Sequence, residues 1–102
     1  MLSPKKELPR QLEAEDALGS MTRLKIVRLL MQMGQLNVSN IAERMKISYV
    51  VTFKHLEILE RAGIVVHRKF GRIRQYRIDE CSIRAAAVRA LIEAWGPEMS
   101  KA

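Results

Sequence analysis

Cysteine is almost missing from this chain. The single Cys81 has no partner for an internal disulfide, and His55 and His67 are too far apart to suggest a zinc cluster with it. Prolines number three and glycines five in 102 residues, against 48% apolar residues, so neither a collagen-like repeat nor a disordered polar tract fits. Long hydrophobic runs are also lacking: a stretch such as Ile64 to Val66 falls far short of the ~20 residues of a spanning helix, and no membrane span is expected. Paired Ser or Cys and His, a glycine-rich phosphate loop and a spaced carboxylate pair are all absent, which argues against an enzyme. The first ten residues carry charges and two prolines where a secretory signal would have an apolar segment, so the expected location is the cytoplasm.

Acidic residues are scarce in one place above all. The whole chain carries 18 Lys and Arg against 11 Asp and Glu, a formal charge of +7. Between Arg44 and Arg77 stand nine cations opposed only by Glu57 and Glu60, so this third of the chain holds the entire excess. A basic stretch of this kind is the electrostatic footprint of a polyanion binder.

The length suits one domain, expected over residues 11–96, between a loose arm at 1–10 and a tail at 97–102. Leu12, Ala14, Ala17 and Leu18 fit a short first helix ended by Gly19. Ser20 caps a second helix, Met21 to Met33. Its apolar set of Leu24, Val27, Leu30 and Met31, widened by Ile26, Leu29 and Met33, implies central burial. After Gly34, Asn37 caps a third, two-turn helix carrying Ile41, Ala42 and Met45. Ser48 caps a fourth, from Tyr49 to Ala62, with Thr52, Leu56 and Leu59 inward, Ile58 and Ala62 beside them, and Gly63 as terminator. The period then changes to β-branched and aromatic residues, Ile64 to Val66 and Ile73, Tyr76 and Ile78, a hairpin turning at Gly71. Asp79 or Ser82 opens a last helix, with Ile83, Ala87, Ala90, Leu91 and Ala94 on one side and a stop at Gly96-Pro97. The expected fold is mainly α with a small β-hairpin, in the order of four helices, two strands and one helix.

Two short helices joined by a tight turn and followed by a basic ribbon form the layout of a winged helix-turn-helix. In that layout the second helix enters the major groove and the ribbon, or wing, lies along the backbone. The stretch from Ala17-Leu18-Gly19-Ser20-Met21-Thr22-Arg23-Leu24-Lys25-Ile26 to Leu30 resembles the opening signature of the ArsR family of regulators. Asn37 to Met45, Phe53 to Leu59, Ala62-Gly63-Ile64-Val65, and Gly71-Arg72 to Tyr76-Arg77-Ile78 continue the resemblance in order. It implies a homodimer built from the first and last helices, and a repressor that holds an operator until a signal releases it. Independently, the apolar sides of the first and last helices exceed what a thin core needs. That fits a dimer seam of Leu12, Leu18, Ile83, Ala87, Ala90, Leu91, Ala94 and Trp95; the alternative, that both helices cap one core, stays open.

Departures from the family pattern sharpen the reading. The metal-sensing branch places a cysteine pair in the third helix where Asn37 and Ser39 stand here, and neither side chain supplies a thiolate. A second family metal site asks for Asp-x-His and His-x-x-Glu, against which Asp79-Glu80-Cys81, Ile92 and Trp95 do not match. No metal or cofactor is expected, and no effector can be named. The fourth helix opens on Tyr49, Val50 and Val51 with Phe53 following, so polar readout is thin: valines and aromatics suit thymine methyls, Tyr49 suits a phosphate or a base edge, and only Lys54 and Arg44 are near for bidentate recognition of guanine or adenine. Lys46 occupies the turn where the family commonly has Gly, which implies a positive φ or an altered turn.

Double-stranded DNA is therefore the expected partner, besides a second copy of the chain. The contact set is Asn37, Ser39 and Arg44 from the third helix, Ser48, Tyr49, Val50, Phe53 and Lys54 from the fourth, and Arg68, Lys69, Arg72 and Arg74 from the wing. The competing classes are a winged-helix protein-interaction module, suggested by the apolar start of the fourth helix, and a sequence-independent DNA binder. Cys81 at the start of the last helix reads as a small apolar residue, with a redox-active thiol as the alternative.

Overall fold

The computed structural model describes residues 14–96; the expected arm, the tail and Leu12 lie outside the described residues. The elements are α1 (Ala14–Leu18), α2 (Met21–Met33), β1 (Gln35–Asn37), α3 (Val38–Met45), α4 (Tyr49–Arg61), β2 (Val65–Phe70), β3 (Ile73–Ile78) and α5 (Ile83–Trp95). Each helix after the first opens on a side-chain cap. Ser20, Asn37, Ser48 and Ser82 accept hydrogen bonds from the backbone N–H groups of Arg23, Asn40, Val51 and Ala85, satisfying donors the helix leaves orphaned. Of the two candidate starts for α5, Ser82 is the one used, and its hydroxyl also bonds the Gly63 carbonyl at 2.5 Å.

The core gathers on α2 and α4. Ile26, Val27 and Leu30 of α2 meet Leu56 and Leu59 of α4, Ile41 of α3, Val65, Tyr76 and Ile78 of the sheet, and Ala85, Val88 and Ile92 of α5. Thr52 is fully buried. It keeps its hydroxyl satisfied by donating to the Ser48 carbonyl at 2.8 Å.

Two differences from the sequence reading stand out. The sheet has a third strand: β1 pairs antiparallel with β3, in the order β1-β3-β2. Its three residues are too few for a period to be seen, and Asn37 ends the strand while capping α3. Met33, read as part of the buried face of α2, is exposed, and Val38, not singled out, is buried. On α5 the side expected at a dimer seam, Ile83, Ala87, Ala90, Leu91 and Ala94, is exposed, and the core takes Ala85, Val88 and Ile92 from across the helix.

Two turns position the functional surface. The hairpin closes on Gly71 and Arg72 with Phe70 opposite Ile73, and the positive φ of 65° at Gly71 alone is the pattern of a type II′ turn, matched to strand twist. Between α3 and α4, Lys46 adopts φ 61°, ψ 43°, with its N–H and that of Ile47 returning to carbonyls of α3. A non-glycine residue there carries strain, so Lys46→Gly is expected to stabilise the domain by about 0.5–1 kcal/mol. An upward shift of the urea midpoint at unchanged slope is the expected result.

Candidate nucleic-acid interface

Helix α4 buries Thr52, Leu56 and Leu59, so the ridge opposite, at a spacing of 4, 3 and 4 residues, is Val50, Lys54, Glu57 and Arg61; all four are exposed. Tyr49 and Val51 flank this ridge at 52% and 44% exposed, and Val50 itself is 61% exposed. The helix thus opens with three apolar or aromatic side chains in solvent, followed by two cations and one carboxylate on the ridge. Glu57 and Arg61 were not among the expected contacts, although their distance from Val50 along a helix period was the signal for them.

The wing stands beside this ridge and is tied to it. The Arg74 guanidinium lies over the Phe53 ring, 5.1 Å from its centroid, and Phe53 itself packs against the core. Tyr76, beneath Arg74, is fully buried with its hydroxyl unpartnered at hydrogen-bond geometry. Burial raises its pKa, and the nearby Arg74 guanidinium opposes that rise. Arg74 and Phe53 therefore fix the angle between wing and helix, and their half-buried positions leave them less surface for a ligand than their neighbours have. Arg68, Lys69 and Arg72 are exposed around the turn, with Arg68 5.9 Å from the Phe70 centroid. Glu60 is turned to the wing's base, where its carboxylate meets His67 Nδ1 at 2.9 Å.

A cleft of about 180 Å³ gathers Asn37 and Ser39 at the start of α3, Tyr49 at the start of α4, and Arg72 and Arg74 of the wing. Five of the expected contact residues thus meet in one place. Asn37 and Ser48 spend their side-chain oxygens as caps, each leaving a hydrogen-bond donor over for a ligand. Arg44, Ser39, Ser48 and Lys54 are exposed. Among the described residues no group of three or more His, Cys, Asp and Glu is placed to hold a metal ion, and Cys81 is exposed.

Behind α4, Arg23 joins three helices. Its guanidinium donates to the carbonyls of Asp16 and Ala17 at 2.7 and 2.8 Å and to His55 Nδ1 at 3.1 Å, which makes His55 a neutral acceptor with its proton on Nε2. Burial, and then the Arg23 charge, hold the His55 pKa below its ordinary 6.5. The unfolded chain therefore takes up this proton first as pH falls. The contribution is full above about 6.5 and is lost on the way down to the folded value. Urea midpoints are expected to drop between pH 7.5 and 5.5, and His55→Gln should flatten part of that drop; an unchanged pH dependence would contradict the assignment.

An exposed helix ridge seated in a helix-turn-helix, beside a basic two-stranded wing, defines a winged helix-turn-helix DNA-binding domain. The model of the bacterial regulatory proteins of the arsR family matches residues 20–66, and the chain belongs to this family of DNA-binding transcriptional regulators, which are not enzymes. It is 34% identical over 84 residues to the arsenical resistance operon repressor of Escherichia coli, covering 82% of this chain and 71% of that protein. Among solved structures, a homodimeric winged helix-turn-helix domain from Mycobacterium bovis, described as a possible ArsR-family regulator, superposes with a TM-score of 0.67 at 30% identity, over 81% of this chain and 74% of that one. A possible transcriptional regulator for arsenical resistance gives a TM-score of 0.66 at 34% identity, over 88% and 92%. Among the described residues no helix is long and apolar enough to cross a membrane.

Proposed function

We propose that this chain is a homodimeric, sequence-specific repressor whose two α4 helices enter successive major grooves while the wings grip the backbone. The observation that carries the reading is the exposed ridge of α4 set beside the cleft that gathers Tyr49, Arg72 and Arg74. In this arrangement Val50 meets thymine methyls, Lys54 donates to guanine and Glu57 accepts from a cytosine amino group. Tyr49, Ser39, Ser48, Arg44, Arg68, Lys69 and Arg72 serve phosphates, which position the protein without reading sequence.

The second copy is supported by α5. Ile83 is 86% exposed, Leu91 43% and Trp95 56%, and with Ala87, Ala90 and Ala94 they make an apolar face turned from the core. A helix apolar on both sides belongs inside an assembly. The bacterial relative that is called a repressor and the Mycobacterium bovis neighbour described as homodimeric support the same assignment. Residues 11–96 are the single domain in this account.

The test is the salt dependence of binding to a duplex. With about 3–5 phosphate contacts per subunit, log K against log salt should have a slope of order −6 to −9 for the dimer. A slope near zero contradicts DNA binding and favours the rival reading, a protein-interaction surface led by the exposed Tyr49, Val50 and Val51.

A further inference from the structure

A groove of about 690 Å³ runs between α2 and the end of α3. Its size is that of a small-molecule site. Leu24, Leu29 and Met45 supply apolar wall, and Lys25, Arg28 and Arg44 supply positive charge, with no Asp or Glu among the described residues lining it. Arg28 is the unexplained member. Among the described residues its Nε is buried without a hydrogen-bond partner, and a buried guanidinium N–H left unpaired costs free energy until an acceptor reaches it.

We propose that this groove binds an amphipathic carboxylic acid, its headgroup accepting from Arg28 and its apolar tail lying along Leu24, Leu29 and Met45. Charge complementarity selects this occupant. The chain's own residues 1–13 hold Lys5, Lys6 and Arg10 against Glu7 and Glu13, so they bring no net negative charge to three cations, and a second copy of the chain is itself strongly positive. A carboxylate answers all three cations, and charge-assisted bonds to a guanidinium are the strong class of hydrogen bond.

The probes are octanoate and 1-octanol, which share a tail and differ in the headgroup, titrated into the full chain with its methionine methyls labelled for NMR. Met21 and Met45 line the groove, while Met33, at the far end of α2, does not. Octanoate should shift the Met21 and Met45 methyls and leave Met33 in place, binding at least about tenfold more tightly than octanol. Arg28→Gln should abolish that preference; should this variant lose its fold, Arg44→Gln should reduce it. Equal binding of the two probes, or no shift at Met21 and Met45, overturns the proposal. So does a shift of these methyls that follows deletion of residues 1–10 but not addition of octanoate, because the groove then belongs to the chain's own amino-terminal segment. The readout involves no DNA, so it stands or falls separately from the repressor reading.

Discussion

Leu91→Arg is expected to convert the dimer to monomer and to remove measurable operator binding at concentrations where the parent chain is saturated. Leu91 sits in the middle of the outer face of α5, between Ile83 and Trp95, and contributes nothing to the core, which takes Ala85, Val88 and Ile92 from the opposite side. A charge placed at the centre of an apolar seam is desolvated with no partner, twice over in a symmetric interface, and costs several kcal/mol of association. Each half-site alone retains only one recognition helix and one wing, so affinity falls by the loss of the linked second binding event, a factor of order 10² or more. Stability of the isolated fold should change by no more than about 0.5 kcal/mol, as for a surface position. Sedimentation and duplex binding check both parts. A variant that remains dimeric would move the seam elsewhere, and one that is monomeric yet binds as before would remove the need for a dimer.

Reversing charge at the wing tip, Lys69→Glu with Arg72→Glu, should weaken duplex binding by about 100-fold or more at moderate salt. Both side chains are exposed beside the Gly71 turn and neither packs on the core, so the fold is untouched. Four phosphate contacts disappear per dimer, and at about 0.9 each the log–log salt slope should become shallower by roughly 3–4. The slope separates a lost electrostatic contact from a damaged fold, because a partly unfolded protein binds less at every salt concentration with the same slope. Arg74 is the wrong place for this test: its stacking on Phe53 ties the wing to α4, and its loss would tilt the wing as well as remove a charge.

Much of the scaffold was legible because it is written in local chemistry. Ser20, Asn37, Ser48 and Ser82 mark helix starts by side-chain capping, Gly34, Gly63 and Gly96 mark the ends, and the change from helical to alternating period announces the wing. The positive φ at Lys46 was foreseen as one of two outcomes from the missing glycine in a tight turn. What stayed hidden is what the chain settles only in three dimensions. Strand β1 is too short to show a period and exists because β3 offers it an edge. The stripe on α5 was visible as a stripe, but a helix with apolar residues on two sides does not say which side meets its own core.

The site was legible in part. Of the contact residues expected from the sequence, the structure brings Asn37, Ser39, Tyr49, Arg72 and Arg74 to one cleft. It also separates positions that sequence spacing merges: Phe53 and Arg74 are half-buried and stacked on each other, whereas Val50, Lys54 and Glu57 are exposed. The Arg23 bonds to Asp16, Ala17 and His55 had no sequence signature, since they link three helices through two backbone carbonyls and one ring nitrogen.

The central claim is that this apolar-led ridge reads a specific operator as a symmetric pair. Its most direct test is selection of bound duplexes from a random pool by the purified protein at near-physiological salt, followed by sequencing. Enrichment of an inverted repeat is expected, with half-site centres about 10 base pairs apart, one helical turn, and thymine at the step facing Val50. A folded, dimeric protein that enriches no sequence would contradict it, and would make Tyr49, Val50 and Val51 a surface for a protein partner or for sequence-independent binding.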